Sequence, residues 1–281
     1  MTIAIVTDST SDLSAQRRAE LQVEAVPLYV LFKGQTFRDG LDMTTQDLFQ
    51  GVAQGAPLPS TSQPSPADFQ VVYQRLLETH QQIISLHLSA GVSGTFNSAA
   101  QAARLMAPAQ VHVVDSQLVS GGLGMMVEEA CRLRDAGASV PDILQAVDHI
   151  RRDYLLLFSV GGLEYLHKNG RIGGAQAFLG SILNVRPVLA LRGGKVDAYA
   201  RVRGAKKAAR VMVEALAAYA TSPINLGMIE ANGEAAAEEL AQAIEQAQIP
   251  VVRRQLFQIG PVVASHAGPG AYGFFAYKAL E

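Results

Sequence analysis

Apolar positions in this chain fall into short continuous runs separated by stretches with helical spacing. Ile3-Ala-Ile-Val6, Ile83-Ile-Ser-Leu-His-Leu88, Val111-His-Val-Val114 and Leu155-Leu-Leu-Phe-Ser-Val160 have the length and continuity of buried strands. Another strand is expected over Val23 to Phe32, interrupted at Pro27 as an edge or a bulge would be. Between the runs, helices are expected near Ser14 to Leu21, from Thr44 or Thr45 to about Ala53, and from Pro66 behind a Ser65 cap. Phe69, Val72, Tyr73 and Leu76 give the last of these an apolar face. Further helices are expected from about Gly94 to Met106, Leu118 to Ala136 and Val140 to Arg151. Strand followed by helix, several times over, predicts a parallel or mixed sheet with helices on both faces.

Beyond Val160 the texture changes, with Gly161, Gly162, Gly170, Gly173, Gly174 and Gly180 close together. The expected organisation is therefore α/β in two lobes, about 1–158 and a smaller α/β lobe of about 159–281. The second lobe reads as helices over Leu163 to His167 and Ala175 to Leu183, then a hairpin of Val185 to Leu191 and Lys195 to Val202 around Arg192-Gly-Gly. Ile224 to Ile229 (strand), Glu234 to Ala247 (helix), and Val251 to Phe257 and Val262 to Ala264 (strands) follow. The Ala175 to Leu183 segment carries Phe178, Leu179, Ile182 and Leu183 with almost no charge, so it must be buried or line an apolar cavity.

Composition narrows the class. The 281 residues are 49% hydrophobic and 17% charged, enough for a large core, and 23 basic against 25 acidic residues leave a net charge of −2. That balance gives no general electrostatic case for nucleic acid or an anionic membrane. No apolar run has transmembrane length and Met1-Thr-Ile-Ala-Ile-Val6 enters a strand at once, so a cytoplasmic protein without membrane insertion is expected. The single cysteine, Cys131, shares a helical stripe with Val127 and Ala130 and reads as a packed thiol. No His, Cys and Asp cluster has metal-ligand spacing.

The stretch with most chemistry is Ser89-Ala-Gly-Val-Ser-Gly-Thr-Phe-Asn-Ser98, between a strand and a helix. A helix N-terminus offers unpaired N–H groups and the positive end of the dipole, a receptor for carboxylate or phosphate to which Ser89, Ser93 and Thr95 would add hydroxyls. Ser93 is equally well read as a plain cap. Asp8 and Ser9, after the first strand, either line a site or form a capping cluster. Ala56-Pro-Leu-Pro-Ser-Thr-Ser-Gln-Pro-Ser-Pro66 should be extended and stiff, which would aim the Thr61 and Ser62 hydroxyls at little entropic cost.

Other motifs fail. There is no Gly-x-x-x-x-Gly-Lys-Ser/Thr phosphate loop, and Gly268-Pro-Gly-Ala-Tyr-Gly273 stands too near the end for a dinucleotide fold, so it reads as a glycine-rich turn. Ser93, Asp115 and His266 have the chain order of an α/β-hydrolase triad, but Gly91-Val-Ser-Gly-Thr95 has only the first glycine of a nucleophile elbow; a serine esterase stays as the alternative. Arg201, Arg203, Lys206, Lys207 and Arg210 form a basic cluster, either a solvated face or a docking surface for an acidic partner.

Several of these segments together resemble one family. Asp8-Ser-Thr-Ser-Asp12, Thr61-Ser-Gln-Pro-Ser-Pro66, Ser93-Gly-Thr-Phe-Asn-Ser98, Val114-Asp-Ser116, Gly170-Arg-Ile-Gly173, Leu179-Gly-Ser-Ile-Leu-Asn-Val-Arg-Pro187 and the late His266 look like the DegV family, in order and over nearly the whole chain. The resemblance implies a two-lobed carrier with no turnover of its own and no cofactor, holding a long-chain, palmitate-like fatty acid between the lobes. It implies a separate fatty acid kinase as partner, in the fatty acid metabolism that feeds phospholipid synthesis. It also implies that Thr61, Ser93 and His266 hold the carboxylate, with Ser62, Gly94 and Thr95 nearby. Phe178, Leu179, Ile182 and Leu183 are then the expected tunnel wall, and Arg171, Arg201 and Arg203 the expected residues for phosphotransfer or docking.

Overall fold

Ile3–Asp8 (β1) is buried at all six positions, the pattern of a strand covered on both faces. In the computed structural model, which describes residues 2–180 and 185–280, β1 is followed by a 3-10 turn over Ser9–Ser11, α1 (Ala15–Glu20), β2 (Val23–Val26), β3 (Tyr29–Phe32), β4 (Gln35–Arg38) and α2 (Thr45–Ala53). Then come β5 (Ser60–Ser62), α3 (Pro66–Leu77), β6 (Gln82–His87), α4 (Thr95–Met106), β7 (Val111–Asp115), α5 (Gly121–Asp135) and α6 (Val140–Arg152). The remainder is β8 (Leu155–Ser159), α7 (Glu164–Lys168), a 3-10 helix over Gly173–Phe178, β9 (Val185–Arg192), β10 (Lys195–Arg203), α8 (Ala205–Tyr219), β11 (Ile224–Ala231), α9 (Glu234–Gln246), β12 (Val251–Gln258), α10 (Pro261–Ala267) and β13 (Ala271–Lys278).

Three sheets result among the described residues. A four-stranded parallel sheet has the order β2-β1-β6-β7, and a six-stranded mixed sheet the order β10-β9-β8-β13-β11-β12 with only β11 and β12 parallel. A small antiparallel sheet, β4-β3-β5, joins the hydroxyl-rich Ser60–Ser62 segment to the rest. Helices α3 and α4 cover the outer face of the first sheet, and α8 and α9 the outer face of the second. Between them one apolar core runs from Ile3 to Tyr277, with α5 packed against strands of both sheets. Its glycines permit that: a Cβ on Gly121 would meet Phe257 at 2.7 Å, and one on Gly124 the Ser11 carbonyl oxygen at 2.5 Å. The two-lobed α/β architecture expected from the sequence is the one observed. Since β8 pairs only within the six-stranded sheet, we propose the lobe division at residues 153–154, ahead of about 158.

Local signals were faithful where caps are strong. Thr44, Ser65 and Ser139 each form a reciprocal capping box with an aspartate three residues on. Four expectations change. Val23 to Phe32 is two strands in different sheets, because the chain turns at Pro27-Leu28, where the Leu28 amide donates to Ser9 Oγ (3.0 Å). Val262 to Ala264 is not a strand but part of α10, started by Pro261 at its first turn. The glycine-rich end is a turn only to Gly270; β13 then runs through the middle of the six-stranded sheet, where a side chain on Gly273 would strike the Leu157 carbonyl and Phe158. The helix expected over Ala175 to Leu183 is a 3-10 helix ending at Phe178, and Ile182 and Leu183 lie outside the described residues.

Cys131 is buried on α5, and that burial pushes its thiol up to about 12. A maleimide at pH 8 is therefore expected to leave the native protein unlabelled and to react once it is unfolded; stoichiometric labelling of native protein would contradict the packing.

Candidate functional site

A cavity of about 330 Å³ lies where the two large sheets face one another, and it is walled by residues from both lobes. Its apolar wall comes from strand ends and the loops beyond them. Leu88, Val92 and Val119 come from the first lobe, Leu156, Phe158, Leu191, Val196 and Ile229 from the second, and Val262, Val263 and Ala267 from α10. The volume sits at the small end of the roughly 300–1,000 Å³ usual for ligand pockets.

Polar residues line the same cavity too: Thr61, Ser62, Gln63, Ser93, Arg171 and His266, with Thr10 and Ser120 also on its wall. Thr61 lies on β5, held extended by pairing with Val30 of β3. His266 arrives on α10, and its Nε2 shares a hydrogen bond with Thr61 Oγ1 at 2.8 Å, across 205 positions of sequence. Ser93 precedes α4, whose N-cap is Gly94; its Oγ accepts from the Thr95 amide (3.3 Å) and shares a bond with Thr95 Oγ1 (2.9 Å). Gln63 packs on Gly94 and donates to Ser98 Oγ (3.2 Å), which ties β5 to the start of α4. The Arg171 guanidinium donates to the carbonyls of Val92 (3.1 Å) and Asn169 (2.6 Å), clamping the Ser93 loop to the turn after α7.

Electrostatics here favour an anion. Burial pushes the His266 imidazole down to about 4, and the Arg171 charge acts in the same direction. The ring is neutral at physiological pH, and its Nδ1 is buried without a hydrogen-bond partner. A carboxylate nearby would oppose the Arg171 field. With the Nε2–H donating to Thr61 Oγ1, the threonine proton is free to point at a ligand oxygen. The first-turn N–H groups of α4 add donors of the same sense.

The structure thus brings Thr61, Ser93 and His266 to one cavity, with Ser62 beside them. Gly94 and Thr95 stand behind Ser93, and Thr95 is fully buried. Arg171 is at the cavity, whereas Arg201 and Arg203 are exposed on β10, outside it. Of the expected tunnel wall, Phe178 packs against the central core and Leu179 is 39% exposed, and neither lines the cavity, because the 3-10 helix stops short of the amphipathic turn the spacing suggested; Ile182 and Leu183 lie outside the described residues. Asp8 and Ser9 prove to be capping and loop-tying groups: the Asp8 carboxylate accepts from the Thr10 amide (3.1 Å) and Ser9 Oγ from Leu28. Ser89 Oγ donates to the Gly194 carbonyl of the β9–β10 turn (2.7 Å).

The esterase alternative is overturned. Asp115 Oδ1 accepts from the amides of Ala90 and Gln117 (both 3.0 Å), the Nε2 of His266 is engaged by Thr61, and Ser93 bonds Thr95, so no relay joins the three. Sequence reasoning missed Gln63 as a strut, although it stands inside the Thr61 to Pro66 motif. It also missed the true apolar wall, whose residues sit singly at the ends of many elements.

The sequence model of a family described as uncharacterised DegV-family proteins matches residues 2–279. A DegV domain-containing protein of Deinococcus radiodurans is 44% identical over 283 residues, covering 97% of each chain. Among solved structures, a fatty-acid-binding DegV-family protein of Thermus thermophilus superposes with a TM-score of 0.97 at 45% identity, over 99% of this chain and 100% of that one. DegV of Bacillus subtilis, a fatty acid binding protein, superposes with a TM-score of 0.86 at 32% identity, over 98% and 99% of the two chains.

Proposed function

The chain belongs to the DegV family, and from that premise we propose that it carries a long-chain fatty acid, with the acyl chain in the cavity between the lobes and the carboxylate on Thr61, Ser93 and His266. The observation that carries this reading is the bond between Thr61 and His266, one from each lobe, on the wall of a cavity that is mostly apolar. An acyl chain supplies the affinity: burying ~14 methylenes at ~0.8 kcal/mol each is worth about 11 kcal/mol gross, against association costs of about 4–15 kcal/mol. Net binding then depends on a site formed in advance, which the Gln63 and Arg171 struts provide. Two hydroxyls, that of Thr61 oriented by the neutral imidazole, and the first-turn amides of α4 compensate the headgroup while leaving an oxygen open; a buried bidentate arginine would bind it harder and hide it.

An accessible carboxylate suits a protein that presents its ligand to another. The partner in this reading is a fatty acid kinase and the ligand a palmitate-like acid on its way to phospholipid synthesis. Arg171 at the rim serves the phosphotransfer, and the exposed Arg201 and Arg203 of β10, next to Lys206 and Lys207 of α8, form the docking face. Among the described residues no helix is long and apolar enough to cross a membrane, in keeping with a carrier that picks up single lipids. Native mass spectrometry of the purified protein, then denaturation and identification of what is released, tests the reading. One free fatty acid per chain supports it; a protein that is empty and takes up neither palmitate nor oleate refutes it. Arg201→Glu with Arg203→Glu should leave lipid content unchanged and depress phosphorylation of the bound acid, and equal phosphorylation would remove these residues from docking.

A further inference from the structure

Helix α10 belongs by connectivity to the second lobe, between β12 and β13, and Asn169 Nδ2 donates to its Ser265 carbonyl there (2.9 Å), yet the anchors of its start are in the first. Thr45 Oγ1 donates to the Ile259 carbonyl (2.7 Å), the Gly260 amide donates to Asp12 Oδ1 (3.0 Å), and the Val262 amide donates to Asp39 Oδ1 (2.9 Å). No side chain of α10's own N-cap satisfies these amides, since the cap is Gly260. The two carboxylates converge on that glycine: a Cβ there would lie 2.8 Å from Asp12 Oδ1 and 3.5 Å from Asp39 Oδ1. Asp12 is steadied in turn by Ser120 Oγ, which donates to Oδ2 at 2.6 Å, and Asp39 by the hydroxyl of Ser9. Val262 and Val263 in the first turn of the same short helix, and His266 near its other end, all stand on the cavity wall.

We propose that Asp12 and Asp39 are positioning residues of the lipid site: a pair of first-lobe carboxylates that pin the start of α10, and so set His266 against Thr61 and close the apolar wall. This rests on the fatty acid reading of the cavity. Neither aspartate touches the ligand; both act through the helix. Their placement also makes closure sensitive to acid. Two buried carboxylates aimed at one point resist being ionised together. Burial holds Asp12 well above the usual carboxylate range and Asp39 at about 6, and Asp8 adds to both. A carboxyl whose value is raised in the closed position and ordinary in an open one favours closure at low pH. That contribution is complete below about pH 4 and is lost as pH rises through about 6. The charged groups facing the pair are Asp8, with His87 behind it, and Arg18; Arg17 and Glu128 pair with each other across the adjoining cleft. His266, at the far end of α10, stays neutral above about 4 and does not contribute between pH 5 and 7.5.

The test is amide hydrogen exchange at Gly260 and Val262, on lipid-free and lipid-loaded protein, beside the dissociation rate of a fluorescent fatty acid. Asp39→Ala is expected to speed exchange at Val262 and lipid dissociation each about tenfold, and Asp12→Ala to do so at Gly260. In the unmodified protein, protection of Val262, corrected for intrinsic exchange, should fall from pH 5 to pH 7.5. Asp39→Asn, which keeps an acceptor for the amide without the charge, should restore most of the protection and flatten that profile. Unchanged exchange in Asp39→Ala overturns the proposal, as does faster exchange with unchanged lipid dissociation. Should Asp39→Ala not fold, a pH profile for Asp39→Asn identical to that of the unmodified protein overturns it instead. Failure of the unmodified protein to take up fatty acid refutes the fatty acid reading, and with it the assignment to a lipid site. The exchange data alone then report the anchors, so the two failures are distinct.

Discussion

Protein carrying both Thr61→Ala and Ser93→Ala is expected to purify nearly free of fatty acid. A hydrogen bond to a charged group is worth about 1.5–3 kcal/mol, so each substitution should raise the dissociation constant roughly 10- to 100-fold at about 1.4 kcal/mol per decade. The losses need not add, because Thr61 also holds His266. Removing its hydroxyl leaves both nitrogens of a buried imidazole without a protein partner, which makes Thr61→Ala the more damaging of the two. Thr61→Val separates the chemistry from the shape: it keeps the volume and the β5 conformation but loses the bond, and should bind as weakly as the alanine variant. Titration with a fluorescent long-chain acid reads the effect, with far-UV circular dichroism to show that the fold is retained. Unaltered lipid content in the double variant would remove both hydroxyls from the carboxylate site, and the helix-terminal amides with His266 would have to carry it alone.

Asp8→Ala is expected to cost the fold about 3–5 kcal/mol, since two buried amides and other buried donors lose their acceptor at roughly 1–3 kcal/mol each. The Asp8 carboxylate is fully buried at the end of β1 and accepts four hydrogen bonds, from the Thr10 amide (3.1 Å) and hydroxyl (2.5 Å), the Leu88 amide (3.0 Å) and His87 Nδ1 (3.0 Å). Behind His87 the chain continues: Nε2 meets Ser85 Oγ at 2.7 Å, and Ser85 Oγ meets Tyr73 OH at 2.8 Å. Truncation would strand two buried amides and unbalance the rest of this relay. It joins the ends of β1 and β6, from which the Ser93 loop departs, so weaker lipid binding should accompany the lower stability. Denaturant unfolding would measure the change, and Asp8→Asn, which preserves acceptors for the amides, should fall between the two. A loss below about 1 kcal/mol for Asp8→Ala would mean that water enters and replaces the carboxylate.

Both variants touch segments that were conspicuous in the sequence, and the reason is local. The capping boxes at Thr44, Ser65 and Ser139 involve partners three residues apart, and the buried runs of β1 and β6 declare themselves by continuity. Thr61 and Ser93 could be singled out because a proline-stiffened segment and a strand-to-helix turn aim hydroxyls whatever surrounds them. The cavity wall had no such signal. Leu156, Val196 and Val262 come from three different elements and Leu88 from the loop after β6, and each looks like an ordinary core residue in its own segment. The stretch that did look like a wall, Phe178 and Leu179, owed its appeal to a helical period that the chain abandons at a 3-10 turn.

By itself, then, the sequence determined the alternation of strand and helix, the two-lobed plan, the inert thiol and the hydroxyls offered to an anion, since these follow from periodicity, composition and short-range hydrogen bonds. Only the tertiary structure decided the state and role of His266. Three apolar residues after Pro261 are too few for periodicity to separate strand from helix, and the choice fell to Asp12 and Asp39, more than 200 positions away, which satisfy the first amides of α10. The same docking brings the imidazole to Thr61, buries it beside Arg171 and drives it neutral. Burial and electrostatic field are sums over neighbours in space, and those neighbours are drawn from the whole length of the chain.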